Sequence, residues 1–474
     1  MDSDQINVED ERGMIPNLIK IGSIPVDMNI DVDTDVLEPV VSNQNFCRFV
    51  LEKKGFMNSF SKITLALADV VANASAGCLP ANIGVHSLIS KCSLKCGTTT
   101  ISEFSDWNFW MAYKSMFIDN EINYERETFT TQRMINHEFV YDTDLNYHSN
   151  VNASYYGLRS HLYSDTEAYT GFDATDYEVR VPYFLRNGRT PQYSISLADL
   201  FPFLRFNQLP LYMFDEQISI ELHFQSQSSL GRVCLTGGAT SGQSVDIDLT
   251  ELKLVADYLY YPQDQMERFA NANRTMNFNY VDYRLNKRSL TQAQAQTKQI
   301  MNVGGAGRIV NKVVSGLFND NKTTPDKSIL NLYCPVAPLR DGDNNTDLTT
   351  NLRYNDTYLY PIDLTSPAIQ FDKVVRGEGS IPYVTREEYS REGHGAITPT
   401  TFQGHNQSTA TFGLSGNFFW NVYKLNKNER VNSRGIEIET LYGSTANATH
   451  THRSWLELVK TAQLVNGKLT CYFA

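Results

Sequence analysis

Five groups of residues in this chain have types and spacings that could do chemistry. His137-Glu138 begins the pattern of a zinc-protease helix, which needs a second histidine three residues after the glutamate. Position 141 is Tyr, so that ligand is missing. His450 and His452 alternate along what reads as a strand, so their imidazoles share a face. Two ligands without a third do not close a metal site, and the pair reads as surface histidines. Cys92 and Cys96 share a face in the same way. No second Cys or His pair stands at zinc-site spacing, so they read as core thiols. Asp31, Asp33 and Asp35 start like a calcium loop, but Val36 replaces the expected Gly and Ser42 the expected Glu. They read as a solvated acidic stretch. Gly304-Gly305-Ala306-Gly307-Arg308 lacks the Lys-Ser/Thr of a phosphate-cradling loop and reads as a turn before a strand. No Gly-x-Ser-x-Gly nucleophile elbow occurs. Carboxylate pairs stay open, because sequence separation does not report pairing in space. These readings assign no catalytic residue, no cofactor-binding residue and no metal ligand, and the expectation is a non-enzyme without cofactors.

The elements that would position such residues are mostly short strands. Period-two alternation recurs in 47–53, 61–70, 88–97, 217–224 and 249–261, with Gly, Asn, Asp or Pro between the runs. In 217–224, Ile218, Ile220, Leu222 and Phe224 point one way, and Ser219, Glu221 and His223 the other. That spacing predicts a strand with one buried face. Aromatic residues make up 12% of the chain, with 26 Tyr and 25 Phe, which suits pleated, half-buried surfaces. Helical spacing is confined to 104–117, where Phe104, Trp107, Trp110, Met111 and Phe117 recur. Residues 286–300 are compatible with a linker or a short helix.

The formal net charge is −12. Residues 1–40 hold ten Asp or Glu against two Lys or Arg, which is −8, leaving −4 for the other 434 residues. A phosphate-gripping protein carries a basic face, and the bulk charge offers none, so sequence-specific nucleic-acid binding is not expected. The seven Cys are odd in number and lie mostly in apolar runs, which fits free thiols in a reducing compartment. No signal-peptide pattern opens the chain, and no apolar run has a membrane-spanning length. The Asn-x-Ser/Thr matches at Asn152 and Asn355 read as chance.

A weak internal duplication organises the whole. Residues 92–117 parallel 350–375, 206–224 parallel 425–443, and 249–261 parallel 452–465. The offset shrinks from 258 at Leu94/Leu352 to 218 at Ile218/Ile436 and 204 at Leu252/Leu456, so the first half carries longer loops, chiefly within 118–193. The expected organisation is an acidic extended N-terminal arm over 1–42, a first unit over 43–262, a linker over 263–289, and a second unit over 290–474. The fold class is all-β.

Four stretches resemble the double jelly-roll major capsid proteins of DNA viruses, especially those of polinton-like viruses and virophages, and more distantly those of the large nucleocytoplasmic DNA viruses. They are 45–67 with its Lys53-Lys54-Gly55 turn, 88–113, 206–224 with Leu-Pro ahead of an alternating strand, and 356–374. The resemblance implies two tandem eight-stranded jelly-roll barrels. It implies a homotrimer that fills a pseudo-hexagonal lattice position, with neighbouring capsomers and penton, minor capsid or cement proteins as partners, located in the virion shell. The acidic arm departs from the basic arms that some capsid proteins point at the genome. The 118–193 insertion would form an outward tower and trimer contact. Two other classes of protein share such barrels: lectin-like, fibre or minor capsid proteins, and tandem jelly-roll hydrolases.

Overall fold

The computed structural model describes residues 30–67, 77–78, 83–117, 126, 129–131, 192–206, 208–226, 234–235, 246–295, 297–319, 333, 335, 349–364, 366–382, 389, 419–425, 429–442 and 449–473. The arm before residue 30, nearly all of the 118–193 insertion and His137-Glu138 lie outside the described residues. The strands of the first half are β1 (Asp31–Leu37), β2 (Val41–Asn43), β3 (Phe46–Val50), β4 (Phe56–Met57), β5 (Lys62–Leu67), β6 (Gly77–Cys78), β7 (Ile89–Cys96), β8 (Thr99–Ser105), β9 (Gln192–Ser196), β10 (Leu209–Pro210), β11 (Ile218–Phe224), β12 (Cys234–Leu235) and β13 (Ile247–Tyr260). Those of the second half are β14 (Thr275–Leu290), β15 (Gln299–Gly304), β16 (Val310–Asn319), β17 (Thr349–Tyr354), β18 (Thr357–Tyr358), β19 (Asn421–Lys424), β20 (Ile436–Leu441), β21 (His450–Val465) and β22 (Lys468–Phe473). The helices are α1 (Trp107–Lys114), α2 (Leu197–Leu200), α3 (Pro202–Phe206), α4 (Gln263–Ala272), α5 (Gln292–Ala295) and α6 (Pro367–Glu378).

Strands distant in sequence pair in the same way in both halves. In the first, β13 lies between β1 and β5, β9 flanks β5, and a second sheet runs β3-β11-β7-β8. In the second, β21 lies between β14 and β16, β19 flanks β16, and the facing sheet runs β15-β20-β17-β18. Each half is therefore an eight-stranded jelly roll, built as two separate sheets and not as a closed barrel. The short strands β2, β4 and β10 extend the first roll, and β22 extends the second. The duplication seen in the sequence is physical: β7–β8 matches β17–β18, β11 matches β20, and β13 matches β21. The segment between the fourth strand of the second sheet and its flanking partner holds α1 in one roll and α6 in the other.

Two strands lie where the sequence reading drew an arm and a linker. β1 falls inside 1–42 and pairs with β13 over seven residues. Its side chains are exposed on both faces up to Asp35, so it lacks the one-sided apolar pattern that reveals a strand. Residues 263–289, read as a linker, hold α4 and nearly all of β14, which pairs with β21 along sixteen residues. Helical spacing over 104–117 is realised as α1, and residues 286–300 split between the end of β14, the single-turn α5 and the start of β15.

The turn at Lys53-Lys54-Gly55 requires its glycine. Gly55 has φ +54, and a Cβ there would lie 2.7 Å from the Leu259 carbonyl oxygen. In β11, the polar face is also largely buried: Ser219 and Glu221 are 1% and 9% exposed. β11 is central between β3 and β7, and Arg48 and Lys95 from those strands flank Glu221 at 3.8 and 2.6 Å. Buried apolar side chains of both rolls form one continuous cluster.

Candidate functional site: the seam between the jelly rolls

The first roll meets the second along β8 and α1 on one side and β14, β21 and β22 on the other. Aromatic rings fill the contact. Tyr283 lies 5.0 Å from Phe104 and 4.6 Å from Trp110, and Phe203 lies 4.7 Å from Tyr280. Edge strands expose unpaired carbonyls, and here side chains of the second roll satisfy those of β8. Lys460 Nζ donates to the oxygens of Ile101 at 2.6 Å and Thr100 at 3.3 Å, and Trp455 Nε1 donates to Ser105 O at 3.4 Å. The Tyr280 hydroxyl also donates to Ile101 O. Burial pushes the Tyr280 phenol up, which keeps it a donor.

Three charged clusters fix this contact. In the first, Asp282 accepts from Lys460 Nζ at 3.0 Å and from Ser102 Oγ at 3.0 Å. In the second, Asp106, in the left-handed region at φ 53 just before α1, accepts from Lys287 Nζ at 2.7 Å and Arg453 Nε at 2.9 Å. The Arg453 guanidinium stacks 3.9 Å from the Phe109 ring centre. In the third, Glu378 at the end of α6 pairs with Lys312, with Lys114 at 3.1 Å and with the Tyr113 hydroxyl at 2.5 Å. Lys312 reaches Glu457 at 3.0 Å, and Glu457 accepts from Tyr283 at 3.1 Å. Burial alone would raise the Glu378 carboxyl; Lys114 and Lys312 overcome it and hold the group at about 2. Burial likewise opposes the charge on Lys312, and Glu457 and Glu378 more than offset it, so its pKa is raised. Glu378 is thus held as an anion between two cations, which serves structure and leaves it unsuited to exchange a proton near neutral pH.

His450 and His452 are 0% and 2% exposed, which corrects their reading as surface histidines. β21 is covered on both faces near its start. Burial, then Arg288 and Arg453, hold the His452 imidazole neutral, with its pKa down to about 3, and its Nδ1 lies 3.2 Å from Ser454 Oγ. Cys92 and Cys96 are free core thiols whose Sγ atoms lie 3.7 Å from the carbonyl oxygens of Leu200 and Glu216. Asp33 and Asp35 sit on β1 and pair with Lys54. Gly304 to Gly307 form the turn between β15 and β16. Asn355 is engaged in a turn, where its Oδ1 accepts from Asn432 N at 2.8 Å. Among the described residues no three His, Cys, Asp or Glu side chains group as metal ligands, and no helix is long and apolar enough to cross a membrane.

Sequence spacing marks Phe104 and Trp110 as helix-spaced aromatics but not the charged residues of the seam, although a signal for those exists. Lys460 interrupts the inward series Leu456, Leu458, Ala462, Leu464, and Asp282 ends the series Met276, Phe278, Tyr280. A charge at an inward position of each strand marks a buried pair.

Two jelly rolls in tandem, locked by such a seam, define the double jelly-roll fold. Solved structures share it across nearly the whole chain. A PBCV-1 virus capsid structure matches with a TM-score of 0.54 at 10% identity, covering 95% of this chain and 98% of that one. The mavirus major capsid protein matches with a TM-score of 0.51 at 8% identity, covering 95% and 91%. A cryo-EM structure of the Sputnik virophage matches with a TM-score of 0.50 at 10% identity, covering 100% and 92%. No family model and no curated protein matches the sequence.

Proposed function

We propose that this chain is a major capsid protein, the repeated structural subunit of the icosahedral shell of a DNA virus, and not an enzyme. The observation that carries the reading is the pair of jelly rolls held at a fixed angle by a buried seam, in a fold shared end to end with viral capsid proteins. Two similar rolls per chain allow three chains to close a ring of six similar units, through contacts that are head-to-tail. Such homotrimers would tile against neighbouring capsomers, with penton, minor capsid or cement proteins at the remaining positions, and assemble inside the host cell. The part of 1–42 that precedes β1 would face neighbours or a cement protein, and the 118–193 insertion would form the outward tower. The test is purification of the full chain, mass determination by light scattering, and negative-stain microscopy. Particles of three times 53.7 kDa, or shells and hexagonal arrays, are expected. A strict monomer that binds glycans or hydrolyses a substrate would sink the reading in favour of a lectin-like protein or a hydrolase.

A further inference from the structure

The start of β21 carries two consecutive residues that face opposite ways. Arg453 points to the seam, where it donates to Asp106 at 2.9 Å and lies 3.9 and 5.0 Å from the centres of the Phe109 and Phe318 rings. His452 points away from it, into the second roll. The directly opposite residues of β14 repeat the division. Lys287 stands across from Arg453 and donates to the same Asp106 at 2.7 Å, and Arg288 stands across from His452. A contact that fastens the two rolls together thus lies one residue from a buried imidazole.

That imidazole is ill placed to become a cation. Its Nδ1 meets Ser454 Oγ at 3.2 Å, and its Nε2 has no hydrogen-bond partner among the described residues. The charges that bear on it, Arg288 and Arg453, are both positive. The other groups packed on it are Leu317 directly opposite on β16, the His450 ring two residues before on the same face, and the Tyr442 phenol beyond β20, its ring 6.2 Å away. None of them is a carboxylate. Protonation therefore sets a third positive charge beside two others, with an N–H that has nothing to donate to. Burial first, and then the two arginines, bring its pKa down from 6.5 to about 3. A ring that resists the proton in the fold but not in the unfolded chain contributes stability that is whole above pH 6.5 and is lost as pH falls towards about 3. By about pH 5 the loss amounts to roughly 30-fold in the folding equilibrium. Glu378 responds only below about pH 4.5, so the two windows are separable.

We propose that His452 is an acid-sensitive release for the seam: on taking up a proton it is driven from Arg288, β21 parts from β14 at this end, and Arg453 and Lys287 let go of Asp106. The coupling is short because the proton-sensitive pair and the fastening pair occupy adjacent positions on the same two strands. This goes beyond the shell-subunit reading and does not depend on it.

Tryptophan fluorescence of the full chain tests it. All four tryptophans, Trp107, Trp110, Trp420 and Trp455, are buried at or beside the seam, so their emission moves to the red when the rolls part. The urea midpoint read by this emission should fall between about pH 7 and about pH 5, by the roughly 30-fold given above. The red shift should come before any loss of far-ultraviolet circular dichroism. His452→Gln keeps an uncharged polar side chain at every pH and should remove most of the fall, while His450→Gln should leave it in place. Histidine hydrogen–deuterium exchange, read by mass spectrometry on the unmutated chain, gives a measure that needs no variant to fold: the His452 ring should titrate well below the ordinary histidine range. A wild type whose midpoint is flat over this window would overturn the release. So would a His452→Gln chain that falls as steeply as wild type, a red shift that arrives only with the loss of circular dichroism, or a His452 ring that titrates near 6.5.

Discussion

Lys460 and Asp282 lie diagonally across two paired strands of the second jelly roll, their charged atoms 3.0 Å apart, and both are directed at the edge of the first. Each is under 10% exposed. Removing one partner of a buried pair leaves an uncompensated charge and costs about 3–5 kcal/mol, whereas replacing both with apolar groups is often close to neutral. Lys460→Met and Asp282→Asn should each lower stability by about that much. The Ile101 and Thr100 carbonyls also lose their lysine donor in the first variant, so it should be the worse of the two. The double variant Asp282→Leu/Lys460→Met should recover a large part of the loss. Urea unfolding followed by circular dichroism reads all three, and strictly additive losses would count against a coupled pair.

The Glu378 cluster predicts acid sensitivity at the seam. The folded-state pKa of Glu378 is depressed from 4.5 to about 2. A depressed carboxyl contributes stability that is present above its unfolded pKa and is lost as pH falls through the folded one. The window is therefore about pH 4.5 down to about pH 2, and the loss approaches roughly 3 kcal/mol at 1.36 kcal/mol per unit. Melting temperature measured across that window should fall steeply for the wild type. Glu378→Gln should start lower at pH 6 and show a shallower acid slope. A parallel slope in both proteins would assign the acid response to other groups.

The eight-strand repeat was legible because three of its strand groups keep their alternation in both halves. Leu94/Leu352, Ile218/Ile436 and Leu252/Leu456 share a sheet position as well as a sequence match. What stayed hidden were the two edge strands β1 and β14, each for its own reason. β1 buries neither face, so nothing selects an apolar period at Val32 and Val36. β14 buries Met276, Phe278 and Tyr280, but its next inward position is Asp282, whose partners Lys460 and Ser102 lie far away in sequence, and the strand is then exposed at Arg284. The seam left only the inward charges Lys460 and Asp282 as a trace, because its partners lie about 180 to 350 positions apart, such as Ser102 with Asp282 and Asp106 with Arg453. His452 was misread because alternation reports which residues share a face and not whether that face is covered.

Asp106 separates conformation from charge. Asn tolerates the left-handed region nearly as well as Asp, while Ala does not. Asp106→Asn should therefore lose only the ionic part of the contacts to Lys287 and Arg453, on the order of 1–3 kcal/mol for charged partners. Asp106→Ala should lose in addition the remaining acceptor for Lys287 and Arg453 and about 1 kcal/mol from backbone strain. Asp106→Gly lacks that acceptor as Ala does but is free of the strain, so it should fall between Asn and Ala if backbone strain matters and level with Ala if it does not. Denaturant midpoints of the three variants decide this.

Gly377 and Val422 give the sharpest test of how α6 is seated. Gly377 lies in the last turn of the helix with ordinary helical geometry, so intrinsic propensity favours Ala there by about 1 kcal/mol. The helix packs its buried face, Gln370, Val374 and Gly377, against β19. A Cβ on Gly377 would overlap the Val422 side chain, whose branched carbon has little freedom to turn aside. Overpacking of this kind costs about 1–3 kcal/mol, enough to outweigh the propensity gain. Gly377→Ala should therefore destabilise the protein, and it should also disturb Glu378 next to it, shifting the acid transition described above. Val422→Ala, which on its own opens a small cavity, should rescue Gly377→Ala in the double variant. A stabilised Gly377→Ala, with the acid transition unmoved, would show that α6 is not pressed against β19 at this point.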